Sequence, residues 1–403
     1  MATVGSYLNP NRTTKISHGV KAKRNYEVIS HNPASVKAGS TLYVKIPQLE
    51  RGQLIVPKSL RLTFNLTTTS KVSDAAGATG AKFTENVGRN IVDKITMKMA
   101  GKTINEIDKA YIMNTFRDFW LTEKQRKNAV MQGIKSEREG AIATAFGNRY
   151  SIPIESEIFD DYMPFYPYAL LESVEYNIRF NDPKYLITGT SANKDYSVEN
   201  IQLEYETVFN PELADEIESM YKTQLRWPFE SVHLFKTENT GTNKRINVTV
   251  DVNRKSTKGI LIFFQKTFTE YDTEKTSYQN PGITNVSITS EGISHCIFKS
   301  GIKPYNQYDE IKRFFLKEHL KQEEDIMMDV TKYFGDEKYA LWIDLRSTED
   351  NTLHGSGTEM SNIKHGLQLE LTRSSQTAYD MHVYIVADAL IGLDNGKVSG
   401  IIY

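Results

Sequence analysis

A single cysteine, Cys296, in 403 residues leaves nothing for an internal disulfide, so packing must hold the fold and a reducing compartment suits the chain. It lies inside an alternating pattern, where a small buried hydrophobe is expected rather than a nucleophile. A cationic surplus is also missing: Lys+Arg 49 stands against Asp+Glu 50, a formal net charge of -1. A protein that mainly coats nucleic acid needs such a surplus, so that class is disfavoured. No run approaches the roughly 20 apolar residues of a membrane span, and the N-terminus has no apolar core of a signal peptide.

Reaction chemistry is equally sparse. There is no G-x-S-x-G elbow and no Gly-rich dinucleotide fingerprint. Gly101-Lys102-Thr103 has the ending of a phosphate loop, but Thr96 stands where the first glycine belongs and the triplet falls between two strand-like runs. A β-turn is the expected reading. The 8 histidines are scattered: His319 and Glu323 share a helix face without a further ligand, and His354 and His365 flank a polar loop. Asp160-Asp161 and Glu323-Glu324-Asp325 read as a surface loop and a helix exterior. The sequons at Asn65, Asn247 and Asn285 fall within strand patterns and read as chance matches. The sequence therefore predicts no catalytic residue, no cofactor and no metal site.

What is present is a β-rich pattern stated twice. Hydrophobic content of 39% and charged content of 25% suit a globular chain, and 403 residues are enough for two domains of about 150–200 each. Leu60, Leu62, Phe64 and Leu66 alternate with polar residues, as do Val174, Tyr176, Ile178 and Phe180, the period of half-buried strands. Two runs, Ile91 to Met99 and Lys102 to Ile107, open into a helical segment from Asp108 to Leu121. Later, Ile283 to Thr289 and Ile293 to Lys299 lead into a second helical segment from Gln307 to Met328. Thr122-Glu123-Lys124-Gln125 has capping-box spacing, so the first excursion is expected to break and restart there. The apolar run Ile260 to Phe264 predicts a strand covered on both faces.

The predicted fold is mainly β: two tandem eight-stranded jelly rolls, a double jelly roll with a helical insertion in each. Its divisions are a basic N-terminal arm over 1–40, a first roll over 41–210 with its excursion at 108–138, a linker helix over 211–224, and a second roll over 225–403 with its excursion at 307–333. Residues 1–26 hold Arg12, Lys15, Lys21, Lys23 and Arg24 and no acidic residue. Such an arm can touch nucleic acid, an acidic partner or a neighbouring subunit, or stay solvated.

Several stretches carry a resemblance. They are Asn86 to Lys94, Met99-Ala100-Gly101-Lys102, Phe116-Arg117-Asp118-Phe119-Trp120, Glu123 to Gly133 and Tyr166-Pro167-Tyr168-Ala169-Leu170. In the second half Ala214 to Ile217, Arg254 to Gly259 and Asn280 to Val286 follow in the same order. Together they resemble the major capsid protein of Polinton/Maverick elements and related adintovirus-like DNA viruses. The resemblance implies a non-enzymatic structural protein of the virion and a homotrimeric capsomer of pseudo-hexagonal outline tiling an icosahedral shell. It further implies neighbouring capsomers, vertex (penton) and minor capsid proteins as partners, with the basic arm on the inner side against the genome, a membrane or another subunit. The alternative is a tandem jelly-roll module that binds carbohydrate or another ligand, with a cupin-type enzyme third.

Overall fold

The computed structural model describes residues 23–31, 35–68, 82–84, 86–134, 147–154, 164–188, 195–223, 225–266, 277–316, 326–335, 337–348, 355–361, 363–371 and 378–403. The first half supplies β1 (Lys23–Ser30), β2 (Thr41–Lys45), β3 (Arg61–Thr68), β4 (Val92–Met99), β5 (Lys102–Asp108), β6 (Arg149–Pro153), β7 (Val174–Phe180) and β8 (Tyr196–Phe209). The second half supplies β9 (Leu225–Asn239), β10 (Arg245–Val250), β11 (Thr257–Lys266), β12 (Ile283–Ser290), β13 (Ile293–Ser294), β14 (Ala340–Asp344), β15 (His365–Leu371) and β16 (Tyr379–Asp394).

One rule generates both halves. The first roll pairs β1-β8-β3-β6 in one sheet and β2-β7-β4-β5 in the other. The second pairs β9-β16-β11-β14 and β10-β15-β12-β13, the same order with eight added to every label. All of these pairings are antiparallel, as two facing sheets of a jelly roll require. Short strands extend the first sheets: Ser35–Lys37 and Gln53–Ile55 pair with β8, and Lys397–Ile402 pairs with β16.

Side-chain alternation explains the strands locally. In β10, Ile246, Val248 and Val250 are buried while their neighbours are exposed. In β11 the residues from Thr257 to Gln265 are all buried, because β14 and β16 flank it and both faces are covered. The helical excursions occupy the same connection in each roll, between the fifth and sixth strands: α1 (Ala110–Asp118) and α2 (Glu123–Asn128) in the first, α4 (Pro304–Phe315) and α5 (Val330–Gly335) in the second. Thr122 caps α2 as its spacing predicts, accepting from the Gln125 amide at 3.1 Å while the Gln125 side chain accepts from the Thr122 amide at 2.8 Å. Between the rolls lies α3 (Pro211–Lys222), started by Asn210, whose side chain accepts from Leu213 N at 3.2 Å, and by Pro211 in the first turn.

The hydrophobic interior divides into two clusters, and the division does not follow the chain. Tyr111, Ile112, Met113, Phe116, Phe119 and Trp120, on or just after α1 of the first roll, belong to the interior of the second. Trp227, Phe229, Ala389, Ile391 and Leu393, on β9 and β16 of the second roll, belong to the interior of the first, as do Leu213 and Ile217 of α3. The Tyr278 hydroxyl fixes the exchange by donating to the Ile112 carbonyl at 2.8 Å.

Three expectations require correction. The first roll begins at Lys23, not at residue 41, because β1 pairs with β8 from Lys23↔Phe209 to Ser30↔Gln202. Its alternation is inverted: Tyr26 and Val28 are 55% and 50% exposed while Asn25 and Glu27 take the half-buried side, so the pattern reads as an arm. The strand read over Ile293 to Lys299 stops at Ser294, and Cys296 is buried in the bend beyond it. The second helix runs Pro304–Phe315, and residues 317–325 of the expected helix lie outside the described residues.

Candidate functional site

The Gly101-Lys102-Thr103 triplet is a hairpin turn. Ala100 and Gly101 have φ of 51° and 76°, and Met99 pairs with Lys102 across a two-residue connection. Lys102 Nζ donates to the Val398 carbonyl at 3.3 Å, which employs the lysine in tying the C-terminal strand to the first roll. The His365 ring stands 4.9 Å from that of His295, and burial, then His295, lowers its pKa. No group of three or more His, Cys, Asp or Glu side chains fit to hold a metal occurs among the described residues. Burial pushes the Cys296 thiol up to about 11, so it holds its proton at neutral pH. His319, Glu323, Glu324, Asp325, His354, Asp160 and Asp161 lie outside the described residues.

The stretch from Asn86 to Asn90 is a structural hub. It forms a helical turn, Val87–Asn90, pressed backbone to backbone against the end of the first excursion. Gly88 N donates to the Gly133 carbonyl at 3.1 Å, and a Cβ at Gly88 would stand 1.8 Å from the Gln132 carbonyl oxygen. The next residue, Arg89, grips Asp118 at the end of α1 with two hydrogen bonds of 2.9 and 3.1 Å. With side-chain exposures of 11% and 2%, this fork is largely shielded from water. Asn90 accepts from Thr115 at 3.3 Å and donates to Thr84 at 3.2 Å, while Asn181 donates to its carbonyl at 2.9 Å. The residues here orient the excursion, and nothing in the hub is open to a substrate.

A second buried ionic group joins three strands of the second roll. Lys258 Nζ lies 3.1 Å from both Glu230 and Asp388, on β11, β9 and β16 respectively. Burial alone would lower the lysine, but the two carboxylates outweigh it and hold Lys258 above its ordinary value. Asp388 is lowered in turn: burial opposes this, and the Ser256 hydroxyl, the Gly355 amide and Lys258 overcome it. The group reads as a structural clamp between the three strands.

What remains open is surface. Among the described residues, large apolar side chains stand exposed on both rolls, with Leu171, Met220, Val330 and Ile363 scattered among them. On the first roll, Tyr26 and Val28 of β1 and Tyr43 of β2, the last 66% exposed, line sheet-edge strands. Glu27 and, on β8, Glu204 and Glu206 lie beside them, with Arg24 paired to Glu206. The Tyr26 hydroxyl donates to Glu204 at 2.5 Å, and partial burial, then that carboxylate, pushes its pKa up to about 12. On the second roll, Ile293, Ile297 and Tyr305 are 65%, 56% and 77% exposed, close to Lys299 and Lys303. Of the arm cations singled out in the sequence, Lys23 and Arg24 belong to β1, and Arg12, Lys15 and Lys21 lie outside the described residues. Pattern reading did not single out these residues, since scattered apolar side chains do not announce their exposure.

No family model matches the chain, and neither does any curated protein. Solved structures do. The capsid of PBCV-1, in its quasi-atomic model, matches with a TM-score of 0.61 at 12% identity, covering 96% of this chain and 98% of that one. The Faustovirus major capsid protein matches at 0.60 and 9% identity, over 95% and 91%. The mavirus major capsid protein matches at 0.56 and 12% identity, over 100% and 95%. Matches of this length run through both rolls, and the repeated strand order accounts for them. The chain is a double jelly roll, the same fold as that of these viral major capsid proteins.

Proposed function

We propose that this chain is a major capsid protein, located in the virion, whose trimers tile an icosahedral shell. One observation carries the reading: the strand order repeats in full, and the resulting pair of rolls matches solved capsid proteins along nearly their whole length. Three chains with two similar rolls each supply six similar units around a closed ring, the pseudo-hexagonal outline such tiling uses. A closed ring joins unlike patches of successive copies. The exposed apolar residues of the two rolls differ in kind and offer unlike surfaces for such a contact. The sequence resemblance to the Polinton/Maverick and adintovirus-like group supports the narrower assignment. It also suggests vertex and minor capsid proteins as further partners, and a structural rather than enzymatic role.

Light scattering and electron microscopy of the purified chain test this directly. Trimers and shells are expected without added ligand, whereas a monomer retained on a glycan column would overturn the reading in favour of a binding module. The double variant Ile293→Asp with Tyr305→Asp is expected to stay folded, because exposed substitutions cost about 0.5 kcal/mol or less. It is expected to lose trimer, and undiminished trimer would remove these residues from the interface. Deleting residues 1–22, which spares β1, is expected to leave trimers intact and impair shells. Normal shells from that shortened chain would remove the arm from assembly.

A further inference from the structure

At the seam between the rolls the buried His382 meets Lys109, which is half-buried, and Thr237, which is exposed, with no acid among the described residues in contact with its ring. His382 on β16 is 3% exposed and pairs across the sheet with Thr237 of β9 and Phe263 of β11. Its Nδ1 lies 3.0 Å from the Thr237 hydroxyl and 3.4 Å from Nζ of Lys109, which arrives from the first roll. Lys109 Nζ also donates to the Thr237 hydroxyl at 3.3 Å. Its backbone is held in place: φ is 50°, and the Tyr384 hydroxyl of β16 donates to the Lys109 carbonyl at 3.1 Å. An ammonium has only hydrogens to offer, so Nδ1 must present its lone pair, and His382 is neutral.

The surrounding charges do not change this. From β4, Asp93 is matched to Arg179 at 3.4 Å, and from β5, Asp108 is matched to Lys94 at 3.2 Å. On β16 itself, Asp380 accepts from Asn239 at 3.0 Å. Tyr111 of α1 and Tyr185, whose rings stand 5.2 Å apart, are kept neutral by burial. Among the described residues no carboxylate reaches His382 within ion-pair distance.

We propose that Lys109, Thr237 and His382 form an acid-sensitive latch between the two rolls, closed while Nδ1 accepts and opened when a proton occupies it. Protonation removes the acceptor and sets two cations 3.4 Å apart, one of them on a buried ring. The direction of both titrations agrees: burial, then Lys109, pushes His382 down to about 3, and burial lowers Lys109. A histidine lowered in the folded state stabilises fully above its unfolded value of about 6.5 and progressively less as pH falls toward 3. At about pH 4.5 the seam equilibrium shifts toward the open form by up to ~100-fold, two pH units below that unfolded value.

Hydrogen exchange of α1 and β16, compared between wild type and His382→Gln at equal pH, measures the shift. The amide keeps an acceptor but takes no proton, so the variant is expected to lack the acid-induced opening. An equal rise in both proteins would overturn the latch. Should His382→Gln fail to fold, imidazole titration by NMR of wild type and Lys109→Met decides instead. One histidine that stays neutral to about pH 4.5 in wild type and titrates higher in the lysine variant supports the latch, and ordinary titration near 6.5 with the seam closed refutes it. Neither readout involves assembly, so this result stands apart from the capsid reading.

Discussion

Gly88→Ala is expected to destabilise the fold severely. The new methyl group would stand 1.8 Å from the Gln132 carbonyl oxygen and 3.1 Å from the Gly133 Cα. Both neighbours are backbone, so no side-chain rotation relieves the overlap. Gly133 cannot retreat easily either: its own φ is 68°, and a displacement breaks the 3.1 Å hydrogen bond from Gly88. The adjoining Arg89–Asp118 fork would be drawn out of register, and a buried pair stripped of its geometry is worse than none. We expect a loss of about 3 kcal/mol or more, at the upper end of overpacking. Gly101→Ala is the control, since its Cβ would meet nothing within 4 Å and only its φ of 76° is strained. That change should cost about 1 kcal/mol. Equal stability of the two variants in urea would show that the close approach at Gly88 is not what constrains it.

Phe116→Ala is expected to destabilise the second roll, although the residue belongs to the chain of the first. Phe116 has no exposed surface, and its ring lies 5.2 Å from Phe263, 5.3 Å from Tyr278 and 5.3 Å from Phe315. All three neighbours belong to the second roll, so the cavity opens in that interior. Truncating a buried aromatic costs about 3–5 kcal/mol. Denaturation followed by the emission of Trp342, buried in the same interior, reports the loss. A change under about 1 kcal/mol, ordinary for any substitution, would contradict the shared interior.

Much of this architecture was legible in the residues, and the failures have physical causes. Alternation exposed β3 and β7 because one face is buried and the other wet, and the double-faced β11 announced itself as an unbroken apolar run. The turn at Gly101 and the cap at Thr122 were readable because local chemistry fixes them. Strand β1 was not, since its apolar residues face outward and its pairing with β8 depends on residues about 180 positions away. The exchange of interiors left no trace either: Ile112, Phe116 and Phe119 form an ordinary amphipathic stripe, and a stripe does not name the surface it will meet. The exposure of Tyr26 and Tyr305 was invisible for the opposite reason, because exposure is a property of the finished fold.

The exchanged interiors also bear on synthesis. When the ribosome has finished residue 210, every sheet strand of the first half has been made, yet its interior still awaits Trp227, Phe229, Ala389, Ile391 and Leu393. The nascent chain therefore cannot complete its first half until nearly all of it has emerged, and the halves must mature together after release. Neither half expressed alone would be a self-sufficient domain, so the two copies, however alike in plan, have become obligate halves of a single cooperative body.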